Sequence, residues 1–143
     1  MSIEMRGADV AKAMKEELIR EVDALKAEGI QPCLAIVRAG ARPDDLAYER
    51  GARKRMELVG IECRVAKLPE NISQKELERE FSDVNEDPGV HGILLLRPLP
   101  GNLDAGPLKA MIDPMKDVDG MSPENVAKVF AGDEDGFAPC TAE

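Results

Sequence analysis

The stretch CLAIVRAGARPDDLAYERGARKRMELVGIECRVA, residues 33–66, decides the fold. Cys33-Leu-Ala-Ile-Val37 is a short apolar run that reads as a buried strand. Ala39-Gly-Ala-Arg-Pro43 is a turn, and Asp44 and Asp45 stand where a helix N-terminus favours carboxylates. The helix they open runs to about Val59 and stops at Gly60, and Ile61 to Ala66 reads as a second strand. A strand, a helix and a strand in that order form a crossover unit with parallel strands.

The rest of the chain extends the pattern. From Ala8 to Ala27, Val10, Ala13, Met14, Leu18, Ile19, Val22 and Leu25 recur at helical spacing, with Gly29 as a C-terminal cap. Ser73 and Glu76 have the spacing of a capping box, which predicts a helix over about Gln74 to Asn85. His91 to Leu96 is the third and most apolar strand. Asp104 is placed to cap a short helix through Met111, and Asp113 to Met121 is irregular. Ser122-Pro123 starts a helix ending near Gly132, and the tail from Asp133 reads as extended. The expected fold is α/β, a three-layer domain with a mostly parallel sheet flanked by helices. Ligands of such sheets bind beyond the carboxyl ends of the strands. The loops at those ends are Arg38 to Asp45 and Arg97 to Asn102.

Composition removes several functions. The chain has 143 residues, a net charge of -9, three Phe, one Tyr and no Trp. The acidic balance argues against nucleic acid as a partner, and there is little aromatic material for base stacking. No apolar run is long enough to span a membrane. Three cysteines at wide spacing do not suit a disulfide framework and fit a reducing cytoplasm, with Cys33 and Cys63 as small buried hydrophobes. No G-x-G-x-x-G or P-loop occurs. One His with scattered cysteines gives no zinc spacing. The clusters Asp117-Val-Asp119-Gly120 and Asp133-Glu-Asp135-Gly136 lack the glutamate that closes a calcium loop, so no metal is expected.

Taken singly, the remaining candidates read modestly. Tyr48 is a half-buried core residue with a wet hydroxyl. Arg50, Arg53, Lys54 and Arg55 form a solvated helix face that can also attract an anionic ligand tail. Asp117-Val-Asp119 is a turn with solvated acids, and Pro98 and Pro100 shape a loop. His91 opens a strand and has no assignable role.

Together they resemble the catalytic domain of the bifunctional methylenetetrahydrofolate dehydrogenase/methenyltetrahydrofolate cyclohydrolase family. The resemblance rests on Gly92-Ile-Leu-Leu-Leu-Arg-Pro-Leu-Pro100, on Asp113-Pro-Met-Lys-Asp-Val-Asp-Gly120 with Pro123-Glu-Asn125, on Pro139-Cys-Thr141, and on the Tyr48 helix ending in Val59-Gly60-Ile61. It implies an enzyme that oxidises methylenetetrahydrofolate with NADP or NAD and hydrates the methenyl product to formyltetrahydrofolate. It makes residues 1–143 the folate-binding catalytic domain and leads us to expect an NAD(P)-binding Rossmann domain after it. It also implies a homodimer for the full-length protein. On this resemblance Tyr48 stacks on the aminobenzoyl ring and Asp119 hydrogen-bonds the pterin. Leu96, Pro98, Leu99 and Pro100 line the substrate pocket.

The sequence also departs from the family. A lysine usual four residues after the tyrosine is Ala52 here, and a glutamine usual before the Arg97-Pro98 pair is Leu96. The serine expected three residues before the tyrosine is Asp45. Lys54 is no simple substitute, because two residues turn a helix by about 200°. Hydride transfer needs positioning, whereas water addition needs proton management. The dehydrogenase step is therefore expected to survive and the cyclohydrolase step to be weakened or altered. Tyr48, Asp45 and Lys54 are the catalytic candidates, with Arg55 and Arg97 as further groups able to act on the water step. The alternative is a folate-binding or interaction module without catalysis.

Overall fold

The computed structural model describes residues 6–140; Thr141 of the Pro139-Cys-Thr141 motif lies outside them. Three strands, β1 (Cys33–Ala39), β2 (Glu62–Leu68) and β3 (Gly92–Leu95), form one sheet in the order β2-β1-β3. Both pairings are parallel, with Ile36 opposite Val65 on one side and Leu94 on the other. The expected α/β parallel sheet is thus the observed one. β1 is central, and six of its seven residues are buried, as expected for a strand covered on both faces.

Five helices accompany the sheet: α1 (Gly7–Ala27), α2 (Pro43–Val59), α3 (Gln74–Glu86), α4 (Gly106–Met111) and α5 (Pro123–Ala131). Successive strand residues point to opposite faces. Cys33, Ala35, Val37 and Ala39 pack with Leu77 and Phe81 of α3 and Leu108 of α4 in one buried cluster. Leu34, Ile36 and Arg38 therefore belong to the other face, where α2 packs against β1 and β2.

Local chemistry explains the helix ends. Ser73 and Glu76 form the reciprocal capping box, and the Ser122 hydroxyl accepts from the Asn125 N–H. Gly60 closes α2 at φ 85°, while the Ile61 N–H reaches back to the Met56 carbonyl at 2.9 Å. A β-carbon at Gly60 would be strained by that φ and would stand 3.2 Å from Val22.

Four expectations need correction. Asp104 does not cap α4: the cap residue is Ala105, and the Asp104 carboxylate instead accepts from the Gly106 N–H at 2.8 Å, a turn one residue earlier. The tail is not extended at its start, since residues 133–136 make a turn and the Phe137 N–H is tied to Asn125 Oδ1 at 3.1 Å. The apolar stripe of α1 predicts a buried face, yet only Val22 is buried. It packs chiefly against α2, and Val10, Met14, Leu18 and Leu25 stay exposed. Finally, His91 has a role: its Nδ1 accepts from the Cys33 N–H at 3.1 Å while its own N–H donates to the Cys33 carbonyl at 2.9 Å. It extends the β1–β3 ladder by one residue with its side chain. Cys33 is buried and Cys63 half-buried; burial pushes both thiols up, so both are inert hydrophobes at neutral pH.

Candidate functional site

The site grows from the carboxyl ends of β1 and β3. On the face beside α2, the helix leaves part of the sheet open, and Leu94 is only half-buried there. A cleft of about 430 Å³ lies at that place, lined by Arg42, Asp45, Tyr48, Leu96, Pro98 and Asp119 among others. A second hollow of about 390 Å³ adjoins it, so that Tyr48, Leu94 and Asp119 line both. A hollow of about 500 Å³ near the N-terminus of α3 holds none of the candidate residues. Its Glu76 is already engaged in the capping box.

Tyr48 is 58% exposed. It is therefore not the half-buried core residue that it resembles in isolation: its ring stands over the cleft. What holds α2 beneath it is a buried ion pair. Arg38 from the outer face of β1 donates to the Glu49 carboxylate and to the Gly40 carbonyl, with only 9% and 7% of the Arg38 and Glu49 side chains exposed. Arg53 approaches the other Glu49 oxygen at 3.9 Å. The pair fixes the rotation of α2 at the residue next to Tyr48. Asp45 is buried in the first turn, where Arg42 grips both of its oxygens at 2.9 and 3.0 Å.

Asp119 reaches the cleft from a segment stitched to the free edge of β3. The Ile93 N–H donates to the Lys116 carbonyl at 2.7 Å, and Lys116 Nζ is held by the carbonyls of Asn85 and Asp87. Asp117 is not a solvated acid. It is fully buried and accepts from the N–H groups of Met121 and Ser122 and from Asn125 Nδ2, at 3.0, 2.8 and 2.9 Å. Gly120 follows the two acids at φ 62°, where a β-carbon would stand 2.6 Å from the Phe137 carbonyl oxygen. The sequence signal for this knot is the joint spacing of Asp117, Ser122 and Asn125, which sequence reasoning takes separately, as a turn acid, a helix start and a motif residue.

Burial alone would push the Asp117 carboxyl up, but the bonds from Asn125, Ser122 and Met121 outweigh it and hold the group below the ordinary 3.8. A carboxylate lowered on folding stabilises above its unfolded pKa, and the contribution is lost as pH falls through the folded value. Asp117→Asn is accordingly expected to lose about 1–3 kcal/mol at pH 7. Thermal melts from neutral pH downward should show the gap to the parent closing below about pH 4. A gap independent of pH would contradict the ionised role.

The structure thus brings Asp45, Tyr48, Leu96, Pro98 and Asp119 to one cleft. Lys54 is exposed on α2 and is not among the residues lining either hollow at Tyr48. Leu99 packs against the core cluster, and Pro100, like Leu99, is outside the cleft lining. Ala52 is half-buried and Leu96 buried. Sequence reasoning missed Arg42, which joins the lining through its bond to Asp45, and the contact between Arg97 and Asp119 at 2.7 Å. Among the described residues no group of His, Cys, Asp and Glu can hold a metal, and no helix is long and apolar enough to cross a membrane.

A parallel α/β domain with an aromatic ring, a carboxylate and apolar walls at its strand ends is built to hold a flat, polar-edged ligand. The family model for the tetrahydrofolate dehydrogenase/cyclohydrolase catalytic domain matches residues 5–119, and the chain belongs to that family. It is 51% identical over 141 residues to the bifunctional protein FolD of Clostridium kluyveri, covering 99% of this chain and 50% of that protein. The bifunctional FolD methylenetetrahydrofolate dehydrogenase/cyclohydrolase of Campylobacter jejuni superposes with a TM-score of 0.89 at 39% identity, over 92% of this chain and 47% of that one. A Trypanosoma brucei N5,N10-methylenetetrahydrofolate dehydrogenase-cyclohydrolase, solved with NADP and an inhibitor, superposes with a TM-score of 0.88 at 33% identity, over 97% and 48%. The chain spans about half the length of the relatives it matches.

Proposed function

We propose that this chain is the folate-binding half of an enzyme that oxidises methylenetetrahydrofolate to methenyltetrahydrofolate with NADP or NAD. The observation that supports it most is the meeting of Tyr48 and Asp119 over apolar walls in one strand-end cleft, in a chain of this family. An aromatic face suits a flat aminobenzoyl or pterin ring, and a carboxylate suits the N–H donors of a pterin edge. Leu96 and Pro98 give the ring an apolar wall. The nicotinamide cofactor, when bound, accepts the hydride. By the family resemblance, a Rossmann domain following this one would hold the nucleotide. This chain's part is to bind the folate, orient its reacting carbon and keep water from it. By the family resemblance we place the full-length protein in the cytoplasm as a homodimer.

The second step, hydration of the methenyl carbon to formyltetrahydrofolate, is weakened or altered. Water addition needs a group that takes a proton beside the reacting carbon. Ala52 and Leu96 supply none where the family has lysine and glutamine. Lys54 is exposed and outside the cleft lining, and Asp45 is already paired with Arg42. The same two substitutions favour a second reading, a folate-binding module without catalysis. Nicotinamide reduction on adding methylenetetrahydrofolate to the full-length protein separates them. The enzyme reading expects reduction, and folate binding without reduction would overturn it.

A further inference from the structure

We propose that Arg97 is a positioning residue for folate: its guanidinium holds Asp119 so that the carboxylate presents a fixed edge to the ligand. This rests on the folate reading of the cleft given above. Arg97 Nη2 donates to Asp119 Oδ2 at 2.7 Å. The two side chains are 34% and 31% exposed, so the pair forms part of the cleft wall and is no free surface contact. Both residues line the cleft that Tyr48 overhangs.

The two partners come from separate walls. Arg97 lies two residues past the end of β3, and Asp119 lies in the segment fastened by the buried Asp117. Their bond closes the mouth of the sheet across 22 residues of chain. Guanidinium is always charged and its donors are set in a rigid plane. It therefore fixes the direction of the Asp119 carboxylate. One hydrogen bond occupies one oxygen, and a carboxylate has about four acceptor positions. Capacity remains for a ligand edge that offers paired N–H donors, such as an aminopyrimidine. A charge-assisted bond of this kind also counts for more in a half-closed cleft than on open surface.

The obvious competing arrangement makes Arg97 a latch that the ligand must displace from Asp119. The two differ in sign. Steady-state kinetics of the full-length protein carrying Arg97→Leu, Arg97→Lys, Asp119→Asn and the Arg97→Leu/Asp119→Asn pair decide between them. Positioning predicts that Arg97→Leu raises KM for methylenetetrahydrofolate about tenfold, with kcat within about twofold. KM for the nicotinamide cofactor and the melting temperature should stay near the parent values. Arg97→Lys should recover part of the loss, and the double variant should be no worse than Asp119→Asn alone, because both changes remove one device. An unchanged or lowered KM in Arg97→Leu, or additive losses in the pair, would overturn the proposal. If Asp119→Asn raises KM while Arg97→Leu does not, the positioning role alone fails. If neither variant alters KM, the folate reading of the cleft fails with it.

Discussion

Replacing Tyr48 with alanine in the full-length protein is expected to lower kcat/KM for methylenetetrahydrofolate about ten- to a hundredfold. Stacking of a flat heterocycle on an aromatic side chain contributes about 1–3 kcal/mol, and each 1.4 kcal/mol is about tenfold. Tyr48 is 58% exposed, so its removal leaves no core cavity and the melting temperature should hardly move. Tyr48→Phe keeps the ring and should keep most of the substrate affinity. Its effect on the water step isolates what the hydroxyl does. Steady-state kinetics with the folate varied, beside thermal melts, make the check. A Tyr48→Ala protein with parent kcat/KM would remove the ring from the site.

The second large effect is on stability. Glu49→Ala strands the Arg38 guanidinium between β1 and α2, with the Gly40 carbonyl as its remaining described partner. Breaking one side of a buried ion pair typically destabilises by about 3–5 kcal/mol, since a charge is left buried without its counterion. That is a large fraction of the stability of a domain. Chemical denaturation should show it as a shift in midpoint with the slope kept. Replacing both partners with apolar residues of similar volume, Arg38→Met with Glu49→Leu, should recover most of the loss. If Glu49→Ala alone is neutral, the pair does not hold α2, and the placement of Tyr48 has another cause.

These two residues show what was legible beforehand. The alternation of strand and helix could be read because it rests on local signals: the apolar runs at Cys33 and Gly92, the capping box at Ser73, the glycine after Val59. Each signal involves neighbours in the chain. The supports of the site do not. Arg38 and Glu49 look like two surface charges until a strand face and a helix face are brought together. His91 looks idle until Cys33, 58 residues away, is placed beside it. Asp117 and Asp119 look alike in sequence, yet one is fully buried under three hydrogen bonds and the other opens on the cleft. Asp117 is pinned at the bridge to Ile93, while Asp119 lies in the turn just beyond it, and no local pattern announces that long-range contact. In α1 the local signal is clear, but Val10, Met14, Leu18 and Leu25 of its apolar face stay exposed.

The charges around the cleft support the same functional reading. Arg42 and Arg97 are each engaged by a carboxylate, Asp45 and Asp119. Ala52 and Leu96, which stand on our proposal in place of a lysine and a glutamine, move no protons. On the proposed function, such a site holds and orients a folate while giving little help to water.

The most direct test follows both reactions in one trace. Full-length protein is given methylenetetrahydrofolate and NADP, and nicotinamide reduction and methenyltetrahydrofolate are recorded together. The nicotinamide should be reduced and methenyltetrahydrofolate should accumulate, decaying little faster than it does without protein. Reduction with no methenyl build-up, in a protein whose formyltetrahydrofolate output also survives the loss of Asp45 and Lys54, would contradict that expectation.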